Sequence, residues 1–383
     1  MKLRNGLIAI LLGVSILGCG CGNNTSENTP DNTENSEVEV VIDSEQSKLE
    51  VITPSAYGNV DGLSLEPGTS ISVIGRGSKT AYWNAVEAGA KKAVKDMNEK
   101  LGYEGENKIK VVYSAPETEG DVDEQVNILD EELARYPGAI GIAAVDMYAC
   151  EVQFDLAIEN NIPIVAYDAG SDYQNILALV KTDDQDAAKM AANKLADMIG
   201  DHGQVLIIAH DTNSMTAQDR ENAFAQQMKK KHEGIEIVET YHLDEREERA
   251  RDLLAGEENA EELKDTVTHA DIVRGILEHN PEVKAIYATS ESASIVVQDT
   301  LEAMNLEGIK VVSFDGGEAQ LERLKAGKIS GLIVQNPFGM GYATVVAASR
   351  AILGQGNEAI VDTGYTWVTA ENLEDVRIQN MMY

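Results

Sequence analysis

Two aspartates, Asp168 and Asp315, each follow an apolar four-residue run, IVAY before the first and VVSF before the second. An ionised carboxylate accepts several hydrogen bonds, so it can hold two neighbouring hydroxyls at once. An aromatic ring can cover the apolar face of a sugar ring. Aromatic residues make up only 5% of this chain, which gives weight to the adjacent Tyr82 and Trp83. Thr80 stands just before them, and Arg76 and Lys79 add cations to the same stretch. Further on, Arg220 lies near the start of a helical pattern, Ser290 and Glu291 follow another apolar run, and Gln335 ends a fourth. The set suits a small polyhydroxylated ligand. Arg76 and Lys79 also leave room for an anionic one.

Other chemistries lack their signatures. Paired carboxylates can cleave glycosides, but no GxSxG, HExxH or phosphate-binding loop accompanies them. The six histidines show no metal-ligand spacing and no cysteine pairs suggest structural zinc. Gly75-Arg76-Gly77 lacks the third glycine and the acidic residue of a dinucleotide site. No enzymatic activity, cofactor or metal is therefore expected. The net charge of −34 argues against binding nucleic acid or polybasic contact with anionic lipid. Cys150, at an expected helix start, reads as a buried thiol rather than a nucleophile, and the body of the chain can hold no internal disulfide.

The elements that position these residues follow from periodicity. From residue 69 onward, strands of about five residues (71–74, 109–113, 139–144, 164–167, 177–180, 205–209, 235–241, 285–288, 311–314 and 332–335) alternate with helices mostly of ten or more. That alternation predicts parallel βα units with right-handed crossovers, in an α/β fold of two doubly wound, Rossmann-like lobes. Ligands in such sheets sit beyond the carboxyl ends of the strands. The candidate residues above lie at such ends or just beyond them.

The first residues read differently. Lys2 and Arg4 precede an apolar run over 7–17, the size of a signal-peptide core. Ile16-Leu17-Gly18-Cys19 resembles the lipobox of bacterial lipoproteins, which implies a signal peptide over 1–18 and lipid on Cys19. Residues 19–67 are rich in Asn, Thr, Ser, Glu and Asp and read as a disordered polar tether.

Several segments of the body resemble one family in order. WNAVEAG over 83–89 is similar to the helix after the first strand, which begins with stacking aromatics. NIPIVAYD over 161–168 is similar to the family's NIPVIxxD, AQDRENAF over 217–224 to its AxxRxxGF, and NPEVKAIYATSE over 280–291 to its HPDVxAVFAxND. VVSFDG over 311–316 is similar to VVGFDG, and VQNP over 334–337 to the stretch carrying a ligand-contacting Gln. Over about 70–355 the chain thus resembles the substrate-binding lipoproteins of sugar ABC transporters, of the ribose/galactose-binding type.

The resemblance implies a periplasmic binding protein type 1 fold, with two lobes joined by a three-strand hinge. Residues 68–182 and 336–363 would form one lobe, and 183–335 with 364–383 the other. It implies ligand contacts from Thr80, Tyr82, Trp83, Asp168, Arg220, Ser290, Glu291, Asp315 and Gln335. It also implies a monosaccharide ligand, ABC permease partners, a monomer and an extracytoplasmic, lipid-anchored location. A nucleoside ligand, or presentation of ligand to a membrane sensor, stays open. The chain departs from the family pattern at Ala169, where ribose binders have Arg, and at Ser290-Glu291, where the pair is Asn-Asp. Residues 244–263 read as an insertion at the cleft rim, a solvated charged helix with pairs such as Glu245–Arg249 or else a lid or docking surface.

Overall fold

The computed structural model describes residues 44–383. The signal peptide, Cys19 and the tether up to residue 43 lie outside the described residues. The strands are β1 (Ser70–Ile74), β2 (Lys110–Ser114), β3 (Ala139–Ile142), β4 (Ile164–Tyr167), β5 (Leu179–Lys181), β6 (Gly203–Ala209), β7 (Ile235–His242), β8 (Val283–Ala288), β9 (Lys310–Phe314), β10 (Gly331–Gln335), β11 (Ile360–Asp362) and β12 (Tyr365–Val368). They form two six-stranded sheets, ordered β11-β5-β4-β3-β1-β2 and β12-β10-β9-β8-β6-β7. The first sheet is wholly parallel, and in the second only β12 runs antiparallel, against β10. Helices cover both faces, so β3, β4 and β10 are buried at every position, as their continuous apolar runs require.

In each sheet the strand order reverses beside the first strand laid down, between β1 and β3 and between β6 and β8. Crevices at such reversals are where ligands bind in open α/β sheets. The chain passes between the sheets after β5, after β10 and after β11. The three passages are knitted together: Thr182 Oγ1 donates to Gln335 Oε1 at 3.0 Å, Asn336 Nδ2 to the Thr363 carbonyl at 3.0 Å, and the Thr363 amide to the Lys181 carbonyl at 3.0 Å.

In the first lobe the helices Ala81–Leu101 and Pro337–Ile352 pack together at Gly89 and Gly341. A Cβ on Gly89 would strike the Phe338 carbonyl, and one on Gly341 the Val86 carbonyl. Only glycine permits so close a crossing. It fixes the N-terminal ends of both helices, which carry Tyr82 and Met340, next to the crevice.

Residues 44–67 correct the sequence reading. They are not tether. Ser44–Glu50 is helical, and Leu49, Ile52, Tyr57, Val60, Leu63 and Leu65 are all buried in the first-lobe core. Polar composition masked these six apolar side chains, which the compact path of the segment gathers onto one surface. Asn336 Nδ2 donates to the Lys48 carbonyl at 2.7 Å, so the new helix is also tied to the hinge.

Residues 244–263 are mostly exposed, with Ala250 the one buried position. The helix Arg246–Leu253 buries Ala250 in the second-lobe core, and Arg246 donates to the carbonyls of Lys264 and Val267. The Glu245–Arg249 pair gives way to others: Arg249 reaches back to Glu239 on β7, and Glu245 meets His242.

Candidate functional site

The two aspartates occupy equivalent places in the two lobes. Asp168 follows β4 and Asp315 follows β9, with φ of 55° and 75°. This left-handed conformation is uncommon for a residue with a side chain, though Asp tolerates it better than most, and such outliers cluster at functional sites. Each backbone amide donates at 2.8 Å to the neighbouring strand, Asp168 to Val180 and Asp315 to Ile333. The sharp turn aims each carboxylate across its sheet end. Asp168 Oδ1 accepts the Tyr82 hydroxyl at 2.5 Å. Asp315 Oδ1 accepts Gln335 Nε2 at 2.7 Å, and Oδ2 accepts the Glu291 amide at 2.9 Å. These bonds leave lone pairs on both carboxylates for further donors.

Of the adjacent aromatics, Tyr82 faces the crevice and Trp83 packs beneath it. Tyr82 stands edge-on to Trp83 with ring centroids 5.0 Å apart, and its hydroxyl also lies 3.3 Å from Met340 Sδ. Burial, then the charges of Asp168 and Asp315, push the Tyr82 phenol well above its usual pKa, so it stays protonated. Trp83 is buried in the first-lobe core. Thr80 caps the Ala81–Leu101 helix, its hydroxyl accepting the Trp83 amide at 3.2 Å. One lone pair is thus engaged in holding the aromatic pair in place.

In the second lobe Ser290, not Glu291, caps the helix Glu291–Met304, accepting the Ala293 amide at 3.2 Å. Glu291 is released to turn its carboxylate onto Gly317, where a Cβ would collide with it. Burial, reinforced by Asp315 and Glu119, raises the Glu291 carboxyl to about 7. Arg220 is buried rather than paired at the surface with Asp219 or Glu221. Its Nε donates to Asp184 at 2.7 Å, its Nη1 to the Thr289 carbonyl at 2.8 Å, and its guanidinium lies 4.0 Å from the centre of the Phe314 ring. Burial works against its charge, but Asp184, Asp315 and Asp168 more than offset this and raise its pKa. Gln335 links Asp315 to Thr182, coupling the second-lobe carboxylate to the hinge.

The lobes meet across the crevice. Arg76, beyond β1, donates to Asp211, beyond β6, at 2.9 Å. That pair absorbs one of the two cations that suggested an anionic ligand. The other, Lys79, turns outward to Glu117 at the surface. Asp211 and Glu119 are site neighbours that the candidate set omits. Glu119 stays open to solvent at the lip, with Arg76 and Trp83 beside it. Both lie beyond strand ends, so the carboxyl-end rule contained the signal for them. Tyr383, whose ring stands edge-on to Tyr82, is a third omission, and nothing in its local sequence points to the crevice. The nearby His210 is held neutral by burial, its ring between Thr289 and the Ser214 and Thr216 hydroxyls.

Cys150 is buried at the start of the helix Glu151–Glu159, and burial raises its thiol to about 12, which leaves it unreactive. The crevice therefore offers acceptor carboxylates, one aromatic face, a buried guanidinium and an amide. These can bind and orient a polyhydroxylated ring.

Residues 71–356 match the periplasmic binding protein domain family. The chain is 22% identical over 204 residues to the ribose import binding protein of Haemophilus influenzae, covering 53% of this chain and 62% of that one. The match thus spans under two thirds of that relative's length. It is 28% identical to the solute-binding protein of a carbohydrate transporter from Agrobacterium radiobacter, solved in complex with D-arabinose. That likeness has a TM-score of 0.69 and covers 82% of this chain and 99% of that one. An ABC transporter solute-binding protein from Agrobacterium vitis, bound with α-D-tagatopyranose, shares the fold at 24% identity and a TM-score of 0.70, with 82% and 99% covered. With both sheets, the crevice at their strand ends and a match over residues 71–356, the chain belongs to the periplasmic binding protein family.

Proposed function

We propose that this protein is an extracytoplasmic solute-binding lipoprotein that captures a monosaccharide between its lobes and delivers it to an ABC permease, catalysing no reaction itself. The observation that carries the reading is the pair of left-handed aspartates at equivalent strand ends of the two lobes, Asp168 and Asp315, with Tyr82 hydrogen-bonded to the first. Ligand contacts come from Thr80, Tyr82, Asp168, Arg220, Ser290, Glu291, Asp315 and Gln335, with Trp83 as support. Hydrogen bonds to charged groups contribute about 1.5–3 kcal/mol each. Three or four of them with one stacking contact reach the roughly 8 kcal/mol of micromolar binding after ordering costs. Family membership and the sugars named for similar proteins support the same chemistry here.

Ligand bridging both lobes favours the closed form, and a permease that reads closure receives only loaded protein. Lipid on Cys19 would hold the monomeric domain at the membrane face. A thermal-shift screen of pentoses, hexoses, polyols, sugar phosphates and nucleosides tests the reading. Stabilisation by a monosaccharide is expected. Stabilisation by nucleosides alone would replace the sugar with a nucleoside. Cys19→Ser in the native host tests the anchor: release from the membrane fraction, or build-up of uncut precursor, is expected, and retention at mature size would overturn it.

A further inference from the structure

We propose that Tyr383 is a specificity-determining residue of the ligand site, forming the hinge-side aromatic wall of the crevice against which the sugar ring packs; this rests on the sugar-binding reading above. After β12 the chain returns along the second lobe, where Leu373, Ile378 and Met382 pack with Leu324, Leu332 and Val334. This strap is latched to the helix Ser44–Glu50: Lys48 Nζ donates to the Met382 carbonyl at 2.8 Å, and Asn380 Nδ2 to Ser47 Oγ at 3.4 Å. The latch delivers Tyr383 to the junction of the lobes. Its hydroxyl accepts the Gly316 amide at 3.0 Å, one residue beyond Asp315. Its ring stands edge-on to Tyr82, 5.6 Å between centroids at 83°. Tyr82 in turn donates to Asp168.

Tyr383 thus touches the second lobe through Gly316 and the first through Tyr82, beside Asp315. Burial and the nearby Asp315 and Glu291 keep its phenol protonated. A neutral phenol that accepts through its oxygen retains a proton to donate to a ligand oxygen. Two rings at right angles form an aromatic corner, which suits the C–H face of one pyranose or furanose and stops a second ring from extending toward the hinge. A side chain needed only to fill the core would require neither the hydroxyl nor the contact with both lobes.

The test is calorimetric binding of D-ribose, D-arabinose, D-allose, D-tagatose, D-fucose and maltose to the wild type and to Tyr383→Phe, Tyr383→Leu and Tyr383→Ala, with melting temperatures as a folding control. The preferred monosaccharide should bind at least tenfold more weakly to the Leu and Ala variants and about three- to tenfold more weakly to Phe, which loses only the hydroxyl. The maltose-to-monosaccharide affinity ratio should rise in Ala, a change that general loosening of the fold would not produce. Folded Leu or Ala variants with wild-type affinity and an unchanged ratio would overturn the assignment. A wild type that binds none of the panel would overturn the sugar reading itself, and the assignment with it.

Discussion

Arg76 and Asp211 face each other from different lobes and meet at 2.9 Å, both largely shielded from solvent. Asp211 is preoccupied on its other oxygen with the amides of Asn213 and Ser214, which hold it in place. The pair exists only while the lobes are together, so its free energy counts toward closure.

Asp211→Ala should therefore open the protein. A charge-assisted hydrogen bond contributes about 1.5–3 kcal/mol. Losing it should weaken ligand affinity at least fivefold, because the binding-competent closed form becomes rarer. Small-angle scattering of the ligand-free variant should show a larger radius of gyration. An unchanged radius together with unchanged affinity would remove the pair from the closure equilibrium.

Asp168→Asn and Asp315→Asn should each weaken sugar binding by about tenfold or more, the equivalent of roughly 1.4 kcal/mol. The amide keeps the shape but gives up acceptor sites and charge. Asp315→Asn should be the costlier for the fold, since its carboxylate also serves Gln335 and the Glu291 amide. Titration calorimetry and melting curves separate the two effects.

Glu291 gives a pH signature. Its carboxyl, ordinarily at 4.5, is raised to about 7 by burial first and by Asp315 and Glu119 next. The folded state then binds its proton more tightly than the unfolded chain does, so this residue's contribution to stability falls as pH rises from about 4.5 to about 7. His210, held neutral, works in the opposite direction. The difference between wild type and Glu291→Gln isolates the first effect. The variant should gain melting temperature on the wild type steadily from pH 5 to pH 7, and a constant difference would rule out the shift.

Ile52→Ala distinguishes a packed segment from a tether. Ile52 is 1% exposed, and removing such a side chain from a core costs about 2–5 kcal/mol. Chemical denaturation should show a loss in that range, while Glu50→Ala, at the exposed end of the helix Ser44–Glu50 just before it, should change little. Equal and negligible effects would return 44–67 to the tether.

Ten of the strands were legible, most of them because a strand covered on both faces demands an apolar run, whereas the edge strands β2 and β7 are largely half-buried and interleave polar residues. β11 and β12 were not. Ile360–Asp362 is too short to show a pattern, and Tyr365–Val368 joins its sheet antiparallel at an edge, where alternation replaces a continuous run. Asp168 and Asp315 could be read because a polar residue ending an apolar strand marks the ligand end of such sheets. What stayed hidden was partnership. Thr80 and Ser290 have the chemistry of ligand donors, and their hydroxyls also accept helix-start amides, a second use that only geometry reveals. Arg76 reads as a cation for an anionic ligand until Asp211, 135 positions away, is placed against it. Tyr383 enters the site by a path that no local pattern encodes.

The three passages between lobes also set an order on synthesis. The surface that buries Leu49, Ile52 and Tyr57 includes the helix Pro337–Ile352, and the edge of the first sheet waits for β11. At about 5–20 residues per second, everything from β6 to β10 must emerge before the lobe begun first can finish. For roughly ten to thirty seconds at those rates, its half-built core has no lid of its own. Ribosome-bound chains halted before residue 337 should stay protease-sensitive throughout 44–181, and protection should arrive for that stretch only once β11 has been made. The lobe that starts first therefore stays unfinished until all of the other but β12 and the returning strap has been made, leaving an interval in which the chain is still pliable enough to be threaded elsewhere.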